Sequence, residues 1–70
     1  MKLVRYNNDV YQIVDDEGGV KYLALRLANG KWGAYDGNDV RLSKRSFVNP
    51  RQVLAFIAGR DALEKERGDG

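Results

Sequence analysis

Alternation of apolar and polar side chains next to a tight-turn signal constrains this fold more than any other sequence feature. In residues 20–27 every second residue from Leu23 onward is a leucine, and this period of two is typical of a half-buried β-strand. Asn29-Gly30 then indicates a two-residue hairpin loop, because both residue types tolerate positive φ angles. The pattern therefore predicts a hairpin in which Leu27 faces Trp32.

Two further turn signals place strands before this hairpin. Asn8-Asp9 predicts a two-residue loop that sets Tyr6 opposite Tyr11. Residues 15–19 are acidic and rich in glycine, and a connection of this length sets Tyr11 opposite Leu23. Three antiparallel strands therefore precede Trp32.

A last turn signal, residues 36–39, predicts a three-residue loop and a fifth strand over residues 40–45, with Tyr35 opposite Arg41. Antiparallel partners share a face, so the predicted registers give the sheet one apolar side. That side is predicted to carry Leu23, Leu25, Leu27, Trp32, Ala34, Val40 and Leu42.

The start of a helix is well marked. Asn49 is a favoured N-cap, Pro50 suits the first helical position, and Gln52 stands where a capping box needs an acceptor. An apolar stripe follows, and Gly59 either ends the helix or permits a close approach. The predicted fold is α+β, an antiparallel meander of about five strands with one C-terminal helix packed on one face. We expect a single small domain over residues 1–67 and a frayed C-terminus over 68–70.

Composition argues against several classes of function. The chain has no histidine and no cysteine, which removes the commonest general base and the commonest zinc ligands. No glycine-rich phosphate loop is present, so we expect no enzyme, no cofactor, no metal and no small-molecule substrate. No apolar run approaches the roughly 20 residues that span a bilayer, and the first residues are charged, so we expect a soluble cytoplasmic protein without membrane association.

Charge is distributed unevenly, although the net charge is only +2. The acids fall in the predicted turns and the C-terminal tail, whereas the predicted exposed side of the sheet collects bases and tyrosines. Guanidinium groups suit phosphate because their planar fork donates paired hydrogen bonds. The alternative interpretation is an ordinary solvated sheet face. The candidate nucleic-acid or partner-binding residues are Arg5, Tyr22, Arg26, Lys31, Tyr35, Arg41, Ser43 and Arg45.

Three segments, Gly30 to Asp36, Arg41 to Phe47 and Asn49 to Ala55, resemble the core of the plant ethylene-response-factor DNA-binding domain. They are also similar to the arm-binding domain of phage and transposon integrases. The shared features are a tryptophan-bearing strand, a basic strand that ends in phenylalanine, and a capped amphipathic helix. The resemblance implies DNA binding by the exposed sheet face, through Arg26, Lys31, Tyr35, Arg41, Ser43 and Arg45, in a phage or mobile-element regulator.

Two alternatives remain open from the sequence. In size and style the chain also resembles small phage host-takeover proteins, including anti-CRISPR proteins, which bind and block a host protein complex. In that case the acids of residues 15–17 and of the tail would meet an arginine-lined partner. A small Src-homology-type barrel with a peptide groove is a further alternative for the fold.

Overall fold

A four-stranded antiparallel sheet and one helix form the fold. The structure is a computed structural model that describes the backbone of residues 1–68 and the side chains of residues 1–63. The elements are β1 (Lys2–Arg5), β2 (Val10–Val14), β3 (Val20–Arg26), β4 (Trp32–Asp36) and α1 (Pro50–Gly68). The sheet has the order β1-β2-β3-β4. Within residues 1–68 no helix combines the length and apolar character needed to cross a membrane.

The predicted α+β class is therefore confirmed, with four strands instead of five. The helix continues through Gly68, which was predicted as part of a frayed end. Residues 69–70 of that predicted frayed end lie outside the described residues.

Each strand of the meander is followed by a three-residue loop: 7–9, 16–18, 28–30 and 37–39. In every case the residue before the loop donates its backbone N–H to the carbonyl oxygen of the residue after it, at 2.7–3.0 Å. In three of the loops the last residue has a positive φ, as three-residue hairpins require: these are Gly18, Gly30 and Asp39.

The predicted three-residue loop after β4 is thus confirmed, including the pairing of Tyr35 with Arg41. The two-residue loops predicted at Asn8-Asp9 and Asn29-Gly30 are wrong. A type I′ turn needs two consecutive positive φ angles, and in the second of these loops only Gly30 has one, at 82°.

A β-bulge at Lys21 shifts β3 by one residue against β2. Val14 pairs with Val20 beside the loop, as the predicted connection requires, but the next pair along is Ile13 with Tyr22. The unpaired extra residue moves every later side chain of β3 to the other face of the sheet. Tyr11 therefore faces Ala24 and not Leu23.

The loop at 28–30 then introduces a second shift of one residue. Ala34 lies opposite Ala24, where the prediction placed Leu25, and Trp32 lies opposite Arg26. The two shifts cancel for β4, so Trp32 and Ala34 keep their predicted side. β3, which lies between the two shifts, is therefore inverted relative to β2 and β4. The loop at 7–9 likewise shifts β1 by one residue, so Arg5 and not Tyr6 lies opposite Tyr11.

The helix covers one face of the sheet, here named the helix-covered face, and the other is named the open face. The buried cluster beneath the helix confirms the core positions of Trp32 and Ala34, and Leu42 packs against it. The three leucines of β3 and its loop lie instead on the open face, half-exposed, and Val40 is 57% exposed. The buried cluster consists of Ile13, Ala24, Trp32, Ala34, Phe47, Val53 and Ile57.

The predicted fifth strand is replaced by a loop that folds around one guanidinium group. Residues 40–47 meet β4 only at two isolated bridges, Tyr35–Arg41 and Trp32–Phe47. Backbone carbonyl groups that turn toward a common donor cannot also point along a strand ladder. The side chain of Arg41 donates to three such oxygens: those of Ser43 at 2.8 Å, Lys44 at 3.4 Å and Arg45 at 3.3 Å.

The helix begins as predicted. The side-chain oxygen of Asn49 accepts a hydrogen bond from the backbone N–H of Gln52 at 3.0 Å, and the Gln52 side chain accepts one from Val48 at 3.1 Å. Gly59 neither ends the helix nor makes a close approach, because a Cβ built there meets nothing within 4 Å.

We predict that Gly59→Ala stabilises the protein. Alanine loses less backbone entropy than glycine in a helix, so the free energy of unfolding should rise by about 0.5–1 kcal/mol. Gly30→Ala is the matched control, because a Cβ at Gly30 also meets nothing within 4 Å while φ is 82°. It should lower the same free energy by about 1–2 kcal/mol. Thermal unfolding of both variants measures these effects, and a lower melting temperature for Gly59→Ala would contradict the helix assignment.

Candidate nucleic-acid interface

The eight candidate binding residues do not share one face. The inversion of β3 places Tyr22 and Arg26 on the helix-covered face, opposite Ile13 and Trp32. Arg5 lies on this face too, because it pairs with Tyr11, which packs against the buried cluster. The predicted placement of these three on the face opposite the helix is therefore wrong, although Arg5 and Arg26 are exposed.

The remaining candidates are on the open face or in the loop after β4. Tyr35 and Arg41 share the open face with Gly33, and Lys31 closes the hairpin on that side. Ser43 accepts a hydrogen bond from the backbone N–H of Arg45 at 3.1 Å and lies in the loop that replaces the fifth strand. Arg41 holds that same loop, so it has a structural role.

Arg26 lies over the ring of Trp32, which belongs to the buried cluster. Its guanidinium carbon is 5.5 Å from the ring centroid of Trp32, within the range of a cation–π contact. A guanidinium nitrogen lies 3.7 Å from a carboxylate oxygen of Asp9. The backbone N–H of Arg26 also donates to the carbonyl oxygen of Asp9 at 2.8 Å, which fixes β3 against the first loop.

Arg45 repeats this arrangement on the neighbouring ring. Its guanidinium carbon is 5.4 Å from the ring centroid of Phe47. Phe47 and Trp32 exchange both of their backbone hydrogen bonds at 2.8 Å, so their side chains lie side by side on the helix-covered face. Two guanidinium groups therefore cover two adjacent rings.

Two more arginines border the other end of the same aromatic row. The Tyr11 ring meets Trp32 edge to face, with 5.3 Å between centroids. Arg5 is the strand partner of Tyr11 and donates a hydrogen bond to the side-chain oxygen of Asn8. Arg51, in the first turn of α1, lines with Tyr11 a cleft of about 740 Å³.

We name this surface the basic end. Its four arginines are all exposed and surround the row formed by Tyr11, Trp32 and Phe47. The helix begins beside the row, so its partial positive charge adds to theirs. Guanidinium groups held over rings present their donors in a fixed plane, which suits bidentate contacts to phosphate. The basic end consists of Arg5, Arg26, Arg45 and Arg51.

Sequence reasoning missed Arg51. The available signal was its place in the first turn of a helix whose start, after Phe47, must lie near the tryptophan strand. Its nearness to Tyr11 depends on how the helix crosses the sheet, which no local pattern specifies.

Except for Asp9, which lies beside Arg26, the acids of the turns lie at the opposite end of the sheet. Successive hairpin loops alternate between the two ends, so the loops at 16–18 and 37–39 share one end. Asp61 of the helix lines a cleft there together with Asp15 and Asp16. Most turn acids are thus separated from the arginines of the basic end along the length of the strands, and not by face as predicted. Lys21 and the N-terminus pair with acids at the acidic end.

Asp15 organises the loop at this acidic end. Its carboxylate accepts hydrogen bonds from the backbone N–H of Gly19 at 2.8 Å and of Glu17 at 3.0 Å. The bond from Gly19 is the main reason why the pKa of Asp15 lies below its ordinary value of 3.8, and Lys21, at 3.8 Å, lowers it further.

We predict that Asp15→Asn weakens the dependence of the free energy of unfolding on pH in the acidic range. Because the folded-state pKa of Asp15 is lowered, its charge stabilises the fold above the unfolded-state pKa, and this contribution is lost as pH falls through the folded-state pKa. The variant should be less stable than the wild type near about pH 6 and should approach it near about pH 2. Urea unfolding across this pH range measures the free energy of unfolding of the wild type and of the variant. Glu17→Gln is the control in the same loop. If the free energies of unfolding of the wild type and Asp15→Asn change with pH in parallel, this role of Asp15 is contradicted.

No protein-family model, no curated protein and no solved structure matches this chain. In the described part of the chain, no group of three or more potential metal ligands comes together. Function is therefore inferred from the geometry of the chain itself.

Proposed function

We propose that this protein is a non-enzymatic module that binds nucleic acid, with duplex DNA as the favoured form, at its basic end. The proposal is carried by one observation: four exposed guanidinium groups surround a single aromatic row at the start of the helix. Duplex DNA presents about one negative charge per 1.7 Å of helix axis, so several phosphates lie within reach of such a cluster.

The contacts favour the phosphate backbone over the bases. Trp32 is only 6% exposed, and Arg26 and Arg45 lie over Trp32 and Phe47, so these rings are not free to stack on bases. Contacts to phosphate position a protein on the duplex but carry no base sequence. We therefore propose binding with little sequence preference.

The open face is less suited to reading a groove. The families that this chain resembles read the major groove with the exposed face of the sheet, which needs polar side chains at its centre. Here Leu23 and Leu25 occupy that centre. The basic end, where the acids of the turns at 16–18 and 37–39 are remote, offers the stronger attraction and steers an approaching polyanion.

We predict that Arg45→Gln/Arg51→Gln weakens DNA binding and its salt dependence. Each lost phosphate contact should reduce the slope of log affinity against log salt by about 0.9, so the double variant should lose nearly two units. Affinity at low salt should fall by about tenfold or more. Fluorescence anisotropy with a labelled 20-base-pair duplex measures both quantities across salt concentrations, and circular dichroism verifies the fold.

Two variants control for charge and for the surface used. Lys21→Gln removes one positive charge at the acidic end and should leave the slope unchanged. Lys31→Gln removes one on the open side of the sheet. If Lys31→Gln lowers the slope while the double variant keeps it, DNA binds the sheet face and the basic end is not the site.

We also predict that Asp9→Asn tightens DNA binding. The Asp9 carboxylate lies 3.7 Å from Arg26 and competes with phosphate for it. Its removal should raise affinity about two- to fivefold, the range that corresponds to an exposed ion pair of roughly 0.5–1 kcal/mol. Asp39→Asn makes the same change of net charge at the acidic end. Equal gains from the two variants in the anisotropy titration would show that only net charge matters.

A further inference from the structure

The open face of the sheet has an apolar centre that no element of residues 1–68 covers. Leu25 lies between its strand partners Val10 and Gly33, and Leu23 lies between Gln12 and Tyr35. Val4 of β1 extends the same side and is 36% exposed. Contiguous apolar side chains of this kind mark interaction surfaces in soluble proteins.

Leu27 and Arg41 belong to the same surface although neither is part of a strand. A Cβ built on Gly33 would lie 3.3 Å from a methyl carbon of Leu27 and 3.7 Å from the Nε of Arg41. The guanidinium of Arg41 is therefore held beside the apolar centre, and its bonds to loop carbonyls leave its positive charge without a carboxylate partner among those described.

The rim of this face carries positive charge on three sides. Lys2 lies on it at the β1 edge, opposite Val14. Lys31 closes the far end of the hairpin opposite Leu27, and Arg41 stands beyond β4. Among the described residues that the registers place on the open face, none is acidic. An apolar centre with a charged rim is the usual anatomy of a protein interface.

We propose that the open face binds an acidic segment of another protein, one whose apolar side chains are flanked by carboxylates. This interaction is separate from the binding of nucleic acid and uses different residues. The apolar side chains of such a partner would cover Leu23 and Leu25, while its carboxylates would meet the cations of the rim. The protein would then hold two ligands at once, DNA at the basic end and an acidic protein on the open face.

Charge argues against a second copy on this face, and the burial of the leucines argues against a lipid surface. A second copy packed face to face would bring one cationic rim against another without an acid to compensate. A lipid surface requires apolar side chains that protrude into the acyl boundary. The leucines of the open face lie half-buried in the sheet, so they suit a second packed surface better.

The test uses two fluorescein-labelled amphipathic peptides of 16 residues, one built from leucine and glutamate and the other from leucine and lysine. We expect the glutamate peptide to bind the full chain at least tenfold more tightly in fluorescence anisotropy. Leu25→Thr should weaken this binding at least tenfold, and Val4→Thr, at a more exposed edge position, should weaken it several-fold. Val48→Thr is the matched control, because Val48 is 69% exposed and lies outside the face.

Other outcomes would overturn the proposal. Equal affinities for the two peptides would show that the cationic rim does not select the partner. Loss of the glutamate peptide on Arg45→Gln/Arg51→Gln, or its displacement by duplex DNA, would place the peptide at the basic end. A dimer in sedimentation that Val4→Thr dissociates would assign the face to a second copy. Binding to vesicles with anionic lipid that Leu25→Thr abolishes would assign it to a membrane.

Discussion

The contacts of Trp32 are those on which the other parts of this structure depend. Its backbone N–H and C=O pair with those of Phe47 and join the sheet to the loop after β4, and that loop sets where the capped helix begins. Its ring takes the edge-to-face contact of Tyr11 and the guanidinium of Arg26. In a chain of 70 residues with no disulfide, packing must stabilise the fold, and Trp32 brings a large ring into the buried cluster.

The geometry of the loops decides which surfaces the sheet presents. A bulge at Lys21 before the long part of β3 and a three-residue loop after it invert that strand relative to β2 and β4. The three-residue loop at 7–9 shifts β1 by one residue in the same way. As a result the small side chain of Ala24 lies under the helix, and Leu23 and Leu25 lie on the open face. The small residue gives the helix room to approach the sheet, while the leucines leave the apolar surface on which we propose that a partner binds.

Basic residues of the protein therefore form two groups, one at the basic end and one around the open face, and the two groups have different neighbours. At the basic end two arginines lie over rings and all four lie near the start of the helix, which suits phosphate. On the open face the cations surround leucines, which suits a protein with carboxylates around an apolar centre. Arg41 has two roles, because its guanidinium holds the loop through hydrogen bonds and also lies at the rim of the open face.

The sequence by itself determined the α+β class, the positions of the turns, the capped helix start and the core places of Trp32 and Ala34, because these follow from local backbone preferences and short-range patterns. Only the tertiary structure decided which alternate side chains of β3 lie under the helix, and therefore on which face Tyr22 and Arg26 lie. Alternation fixes which side chains share a face within one strand, but a single bulged residue changes the relation between strands. The basic end, with Arg51 beside Tyr11, likewise exists only once the helix has packed across the sheet.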